Sequence, residues 1–310
     1  MPAATNIADT TAGIAPSDFG RVLAQRERRF ASALLAPAFL ALLATTTFPL
    51  FFLVWTSAFR MDLAMPFSNG YVGFENYRVL LTDGRFWSSL LVSLVYTGST
   101  VVLQVVIGLA LALLVMDMKR GQGWFRLIAI LPVVLSPAVV GMIWRTFMLA
   151  PEFGIVDFLA INAGLGSQNW LGDPTLAMVS VIAIHTWQWT PFAFMVLLAS
   201  LAALPEDIYE AARLDRASAW QRFRRITLPL LRPAIVMVVI LRTMVALTAF
   251  AAIFTVTAGG PGTATEILNL YAYRKSFTEL SIGYGSALAV ALLVVTILIS
   301  AVLFALRRAK

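Results

Sequence analysis

The chain has 310 residues, of which 60% are hydrophobic and only 13% are charged, whereas soluble domains are nearer half apolar and a quarter charged. It contains no cysteine and a single histidine, which excludes disulfide frameworks, thiolate sites and histidine-rich metal clusters. The net charge of +7 comes from basic residues that mostly flank long uncharged segments. The composition therefore indicates a membrane protein with several crossings, and the basic excess requires no nucleic-acid partner.

Six uncharged runs divide the chain, at 30–59, 86–116, 127–144, 174–205, 243–265 and 280–306. Since one helical crossing of a bilayer needs about 20 apolar residues, the runs predict an all-α polytopic protein with six transmembrane helices. We expect spans at about 32–52, 89–115, 127–144, 176–204, 234–256 and 282–306. Residues 1–29 are expected to form a tail with a basic segment at the membrane surface, and 30–310 the membrane domain.

The basic residues are distributed unevenly about these spans. Sixteen of the 23 lie in the tail and in the flanks 117–126, 206–232 and 307–310, and six lie in the opposite flanks. By the positive-inside rule, the richer side is cytoplasmic, so both termini are predicted to be cytoplasmic. The remaining basic residue, Arg242, falls inside the fifth span. The third span contains Pro132 and Pro137, which predict a bent or broken helix because proline removes a helix hydrogen bond.

The most informative segment is the cytoplasmic loop 206–232. Pro205 and the acidic residues after it start a first helix, and Ser218 with Gln221 has the spacing of a capping box for a second. Pro229 is expected to end that second helix and turn the chain back into the membrane. The residues alone leave open whether this hairpin contacts another protein or rests on anionic lipid.

The loop also carries a motif, Glu-Ala-Ala at 210–212 with Asp215, followed by Ala-Ser-x-Trp-x-x-Phe-x-x-Ile-x-Leu-Pro at 217–229. This pattern resembles the EAA loop of permease subunits of ATP-binding-cassette importers, in the carbohydrate-uptake branch. Similar patterns of that branch occur at Gly73-Phe-Glu-Asn-Tyr, Asp83-Gly-Arg-Phe-Trp, Asn169-Trp-Leu-Gly-Asp-Pro, Thr190-Pro-Phe, Thr257-Ala-Gly-Gly-Pro-Gly and Gly283-Tyr-Gly-Ser-Ala. The resemblance extends from about residue 30 to the sixth span.

The resemblance implies a type I ABC importer permease fold in the bacterial cytoplasmic (inner) membrane. It implies a subunit that is not itself an enzyme and holds no cofactor or metal, because a dimeric partner ATPase binds ATP and magnesium. The other implied partners are a second permease subunit in a heterodimer, an extracytoplasmic solute-binding protein and membrane lipid. The implied solute is a sugar, polyol or related glycoside.

The resemblance also assigns coupling to the ATPase to the first helix of the loop. Its signature positions are Glu210, Ala211, Ala212, Asp215 and Arg216. Arg216 departs from the family, which has glycine there; if that glycine serves a positive-φ turn, arginine is strained.

Candidates for the solute pathway are the polar and aromatic residues inside the spans. They are Gln104, His185, Trp187, Gln188, Trp189 and Arg242. Aromatic rings at a polar cavity suit a sugar face, but His185 and the tryptophans equally fit helix packing or the membrane interface. Arg242 either faces a cavity or extends toward the cytoplasmic surface.

Two other functional classes remain. An ion-coupled secondary transporter is disfavoured because no Asp or Glu lies well inside a predicted span, although backbone carbonyls can bind sodium. A scaffold or membrane enzyme is the third class, but the sequence contains no Walker A, Gly-x-Ser-x-Gly or His-Glu-x-x-His motif.

Overall fold

A computed structural model describes residues 16–118 and 120–308, with side chains for 30–118 and 120–305. The chain divides into two units, with the boundary between Leu53 and Val54. Its helices are α1 (Pro16–Ser57), α2 (Glu75–Thr82), α3 (Gly84–Met116), α4 (Gln122–Val134), α5 (Pro137–Ile143), α6 (Ile155–Asn162), α7 (Pro174–Ala202), α8 (Glu206–Leu214), α9 (Ala219–Arg222), α10 (Leu228–Leu247), α11 (Ala251–Val256), α12 (Leu268–Tyr273) and α13 (Ile282–Arg308). A short antiparallel pair, β1 (Phe59–Arg60) and β2 (Gly70–Tyr71), follows α1. The predicted tail is described only from Pro16, where α1 begins.

Five helices in the described ranges are long and apolar enough to cross a membrane. They are Phe30–Ser57, Gly84–Met116, Pro174–Ala202, Ala219–Leu247 and Ile282–Ala305. A sixth crossing exists if the bent pair Gln122–Val134 and Pro137–Met148 is counted as one span. The prediction of an all-α polytopic membrane protein is therefore confirmed.

The third predicted span is broken, as its two prolines indicated. Its halves meet at an angle of 96°, with Pro132 inside α4 and Pro137 in the first turn of α5. The break frees the Leu135 carbonyl, which accepts a hydrogen bond from Gln188 Nε2 at 3.0 Å. A side chain of α7 thus satisfies a backbone group that the bilayer cannot.

The expectation that Pro229 ends the second loop helix is wrong. Instead, α9, a π-helical turn (Phe223–Thr227) and α10 follow one another without interruption. Pro229 lies in the first turn of α10. A proline ring normally clashes with the carbonyl four residues earlier, and the wider π turn just before it changes that register. The fifth span is therefore the later part of one long helix that begins in the loop 206–232.

The far end of the fifth span is also broken, because α10 ends at Leu247 and α11 starts at Ala251. Asn269 Nδ2 donates to the carbonyl of Thr248 at 3.1 Å, which satisfies one group freed by the break. The span expected at 234–256 therefore comprises most of α10 and, beyond a kink, the short α11.

The long helices α3 and α7 form the centre of the bundle. As in many membrane helices, α3 buries polar and small side chains and exposes apolar ones. Its buried positions include serine, threonine, glutamine and glycine, whereas Leu91, Val102 and Val106 are exposed. Small residues at helix contacts let backbones approach closely. At Gly108 an added Cβ would lie 2.9 Å from both Ala193 Cβ and the Phe194 backbone nitrogen.

We predict that Gly108→Ala destabilises the bundle by about 1–3 kcal/mol, because the new methyl group overfills the α3–α7 contact. Gly98→Ala is the matched control on the same helix, since its Cβ would meet nothing within 4 Å. Thermal unfolding in detergent should show a lower midpoint for Gly108→Ala and an unchanged or higher midpoint for Gly98→Ala. Equal midpoints would contradict the close approach at Gly108.

Candidate functional site

A hydrogen bond joins the loop helix α8 to the long helix formed by α9, the π turn and α10. Tyr209 Oη and Thr227 Oγ1 lie 2.9 Å apart, and Thr227 is the last residue of the π turn that precedes α10. The structure separates the two signature alanines: Ala212 is 8% exposed, whereas Glu210 and Ala211 are exposed. Of the two signature alanines, only Ala211 therefore presents its side chain outward.

A polar cavity of about 340 Å³ lies between α8 and the ends of α3 and α7. Its polar lining comes from Asp117, Glu206, Tyr209, Glu210, Arg213 and Thr227. Across this space, the hydrogen bond between Tyr209 and Thr227 joins α8 to the helix that continues into α10.

The end of α8 adopts the strained turn that the sequence suggested. Arg216 has φ +54°, and the turn is closed by hydrogen bonds from Arg216 N to Arg213 O and from Ala217 N to Ala212 O, both at 3.0 Å. A helix commonly ends in such a left-handed residue, which is usually glycine because a Cβ is disfavoured there. After the turn, Ser218 and Gln221 form the predicted capping box at the start of α9.

Four of the six pathway candidates come together inside the membrane region. Arg242 Nε donates to Gln104 Oε1 at 2.8 Å, and Arg242 Nη2 donates to His185 Nε2 at 3.2 Å. The guanidinium carbon of Arg242 lies 4.4 Å from the centre of the Trp189 ring. Gln104 Nε2 also donates to the His185 carbonyl at 3.4 Å. Arg242 is only 2% exposed, so it does not extend to a membrane surface.

The other two candidates lie elsewhere. Trp187 is exposed and contacts Trp144, with ring centroids 5.6 Å apart. Gln188 is buried and bonds the Leu135 carbonyl at the break of the third span. Trp187 therefore packs against the residue that follows α5, and Gln188 bonds the end of α4. In the described part of the chain, no hydrogen bond or ring contact joins either side chain to the Arg242 cluster.

A second charged cluster lies at the end of the bundle opposite α8, and the sequence analysis missed it. Glu266 is fully buried and accepts hydrogen bonds from Arg85 Nε at 2.7 Å, Arg85 Nη2 at 2.8 Å and Arg274 Nη1 at 2.6 Å. Both arginines were treated only as flanking charges. In the sequence, the available signal for this cluster was Glu266 itself, an acidic residue shortly after the glycine-rich break at 259–262.

Next to this cluster, Asp83 accepts hydrogen bonds from the hydroxyls of Tyr271 and Tyr284, both at 2.6 Å. Burial alone would raise the pKa of Asp83, but these bonds and the backbone N–H groups of Arg85 and Phe86 together lower it. Asp83 also caps α3, so one ionised carboxylate joins the start of α3 to α12 and α13.

The segment around α6 at the same end is organised by Asp157, which is fully buried. Its carboxylate accepts from the backbone N–H of Gln168 and the hydroxyl of Ser167, and from Glu152 N and Trp170 Nε1, at 2.7–2.9 Å. These bonds, chiefly the first two, lower the pKa of Asp157 to about 2. Within the described ranges no three metal-ligating side chains gather at one point.

A family model described as "Binding-protein-dependent transport system inner membrane component" matches residues 104–309. The chain belongs to this family. As a permease it is similar along nearly its whole length to curated proteins. It is 33% identical over 268 residues to the trehalose/maltose transport system permease protein MalF of Thermococcus litoralis, covering 86% of this chain and 90% of the relative. It is 34% identical over 285 residues to the sulfoquinovosyl glycerol transport system permease protein SmoG of Agrobacterium fabrum, covering 92% of each.

Solved structures show the same fold. A bacterial ABC transporter involved in the import of the acidic polysaccharide alginate contains a chain that matches this permease with a TM-score of 0.80 at 23% identity, covering 94% of this chain and 100% of that one. A second structure, of a bacterial alginate ABC transporter in complex with a pentasaccharide-bound periplasmic protein, gives a TM-score of 0.78 at 23% identity. It covers 91% of this chain and 95% of that one.

These findings confirm the resemblance inferred from the loop motif. The permease is a multi-pass inner membrane component of an ABC importer. They give no support to the ion-coupled alternative. The roles of individual site residues and the cytoplasmic location of both termini stay predictions.

We predict that Arg216→Gly stabilises the end of α8 by about 1 kcal/mol, because glycine adopts positive φ without the steric cost of a Cβ. Arg213→Gly is the control within α8, where glycine should weaken the helix by a similar amount. Hydrogen exchange of the α8 amides reports the local opening free energy. Slower exchange in Arg216→Gly and faster exchange in Arg213→Gly are expected; the reverse would show that Arg216 is unstrained.

A second prediction concerns the pH dependence of the Asp157 segment. The folded pKa of about 2 lies below the ordinary value of about 3.9. The carboxylate therefore contributes stability above about pH 4, which is lost as the pH falls toward 2. In protein labelled with fluorotryptophan, the ¹⁹F resonance of Trp170 should stay constant from pH 7 to about 4 and shift below it. Trp144 serves as the reference, and a Trp170 shift centred above pH 4 would contradict the lowered pKa.

Proposed function

We propose that this permease moves a sugar, polyol or related glycoside across the cytoplasmic membrane by alternating access, driven by ATP hydrolysis on a separate dimeric ATPase. The observation that carries the proposal is α8, a short helix with Glu210 and Ala211 exposed, bonded through Tyr209 to the long helix that contains Arg242. A partner that displaces α8 would act directly on a membrane-spanning helix.

The proposal assigns sides and partners. The basic flanks, including α8 and α9, face the cytoplasm together with both termini, and the Glu266 and Asp157 clusters face outward. A second permease subunit completes the pathway as a heterodimer, and a solute-binding protein delivers ligand at the outer face. ATP and magnesium belong to the ATPase, so this chain holds no cofactor and catalyses no reaction.

The carbohydrate class rests on the relatives, whose names include transport systems for trehalose, maltose and sulfoquinovosyl glycerol. Inside the chain, Gln104, His185, Trp189 and Arg242 are proposed to form this subunit's part of the solute pathway. They supply hydrogen-bonding groups and one aromatic face, which suit a polyhydroxylated ring.

If α8 couples the permease to the ATPase, substitutions of its exposed residues should weaken ATPase binding. Ala211→Leu enlarges an outward side chain and should overfill the contact with the ATPase, at a cost of about 1–3 kcal/mol. Glu210→Lys reverses the charge of the adjacent exposed residue, which also lines the cavity beside α8. Both variants should reach normal abundance in the membrane, because neither side chain is packed in the bundle, yet lose the co-purified ATPase and ligand-stimulated ATP hydrolysis.

Two controls separate docking from folding. Ala212→Leu enlarges a buried side chain and should lower the abundance of the permease itself. Glu75→Lys reverses an exposed carboxylate on α2, near the opposite end of the bundle, and should change neither abundance nor ATPase retention. Full retention of a functionally coupled ATPase by both Ala211→Leu and Glu210→Lys would refute the docking assignment.

Uptake into vesicles tests the energy source. Transport by the complete system should require ATP and survive an uncoupler. Transport abolished by collapsing the ion gradient would instead support a secondary transporter, and no transport with all partners present would support a scaffold.

A further inference from the structure

Arg242 is a buried cation whose described hydrogen-bond partners are both neutral. A guanidinium has only donors, so His185 Nε2 must accept the bond from Nη2, and the imidazole is therefore the neutral form. The second partner is the amide oxygen of Gln104. Gln104 and His185 are 0% and 4% exposed, so the positive charge lies in the interior of the bundle with two dipoles beside it.

No carboxylate of the described residues compensates that charge. The ion pairs there use Glu75, Glu266 and Glu279, none of which pairs with Arg242. A buried unpaired charge is unfavourable, and inside a membrane such a group is kept where function requires it. A bound anion would supply the missing compensation.

A second, independent feature adjoins the imidazole of His185. The hydroxyl of Tyr96 is buried, with the residue 1% exposed, and has no hydrogen-bond partner among the described residues. Its ring lies 5.3 Å from the His185 ring, the same imidazole that accepts from Arg242 Nη2. An unused hydroxyl and an uncompensated cation that both adjoin one imidazole form the arrangement expected where a hydroxylated anion binds.

The cluster is covered by two aromatic rings. The guanidinium carbon lies 4.4 Å from the Trp189 ring centre and 6.0 Å from that of Phe192. Both covering residues are partly exposed, whereas Arg242 is not. The cation–π contact partly stabilises the charge while no anion is present, and rotation of Trp189 would uncover the guanidinium without moving a helix.

We propose that this cluster selects solutes carrying an acidic group, such as a uronate, a sulfonated sugar or a phosphorylated polyol. Arg242 is the counter-ion of the acidic group, Gln104 and Tyr96 bond the solute hydroxyls, and Trp189 is the cover that turns aside. This inference rests on the proposed function, since it names the class of carbohydrate that the pathway accepts.

The test offers matched solutes to the complete transporter in vesicles, with its ATPase and solute-binding protein. The pairs are glucose with glucuronate, galactose with galacturonate, and glycerol with glycerol 3-phosphate. In at least one pair, the acidic member should be taken up at least ~10-fold faster. Arg242→Gln should lower that uptake at least ~10-fold, and Arg242→Lys should retain a large part of it because the charge is kept.

Arg145→Gln is the matched control, because among the described residues the exposed Arg145 guanidinium bonds only the Thr255 carbonyl and lies outside the cluster. It should leave uptake unchanged. Neutral members taken up as well as their acidic counterparts, or undiminished acidic uptake by a folded Arg242→Gln variant, would overturn the proposal.

Calorimetry on the wild-type complex without ATP keeps the proposal separate from the proposed function and from any folding defect of the variants. The acidic member of the selectively transported pair should bind at least ~10-fold more tightly than its neutral member, and Trp189→Phe should alter the heat of that binding. Equal affinity of the two members in every pair would overturn the anion assignment even if uptake is ATP-driven. Absence of ATP-driven uptake of every solute would contradict the proposed function alone.

Discussion

The close packing of α3 against α7 is the constraint on which the membrane site depends. At Gly108 the two helices approach so closely that even a methyl group would contact the backbone of α7. Four residues earlier on α3, one turn away, Gln104 spans the same contact, donating to the His185 carbonyl and accepting from Arg242. A larger residue at Gly108 would separate the helices and withdraw Gln104 from both partners. In a bilayer, where burial of apolar surface does not drive helix association, such contacts between small residues determine the geometry.

The features that the sequence predicted are local ones. Two prolines within one span predict a break, and the spacing of Ser218 and Gln221 predicts a helix start. The position of Arg216 indicates a strained turn. Each of these three features depends on residues that are close together in the chain. Pro229 does not end the helix, because a π turn precedes it and the helix continues through it. No residue pattern in the sequence predicts that π turn. Glu266 was unpredictable for another reason: its partner Arg85 lies 181 residues away.

The Glu266 and Arg242 clusters differ in how their buried charges are compensated. Glu266 is held by two arginines, so its charge is compensated by groups that join α3, the 259–266 loop and the segment after α12. That arrangement fixes a structure, since removing one partner would leave a charge buried and unpaired. Arg242 has dipoles and an aromatic face but no described counter-ion. A compensated cluster has little to gain from a ligand, whereas an uncompensated one becomes more favourable when an anion arrives.

The same long helix carries both the attachment of α8 and the guanidinium. From Thr227 to Arg242 it rises by about 22 Å at ~1.5 Å per residue, with no loop between them. A displacement of α8 acts through Tyr209 on the π turn, where the backbone is already wider than an α-helix, and is then transmitted along hydrogen-bonded backbone. Pro233, inside α10, removes one of those bonds and so provides a position at which the helix can bend. Movement at the loop can therefore reorient Arg242 relative to Gln104 and His185, which are fixed on α3 and α7. Under the proposed function, coupling and solute selection would share one mechanical element, and movement of that element would change the affinity of the site.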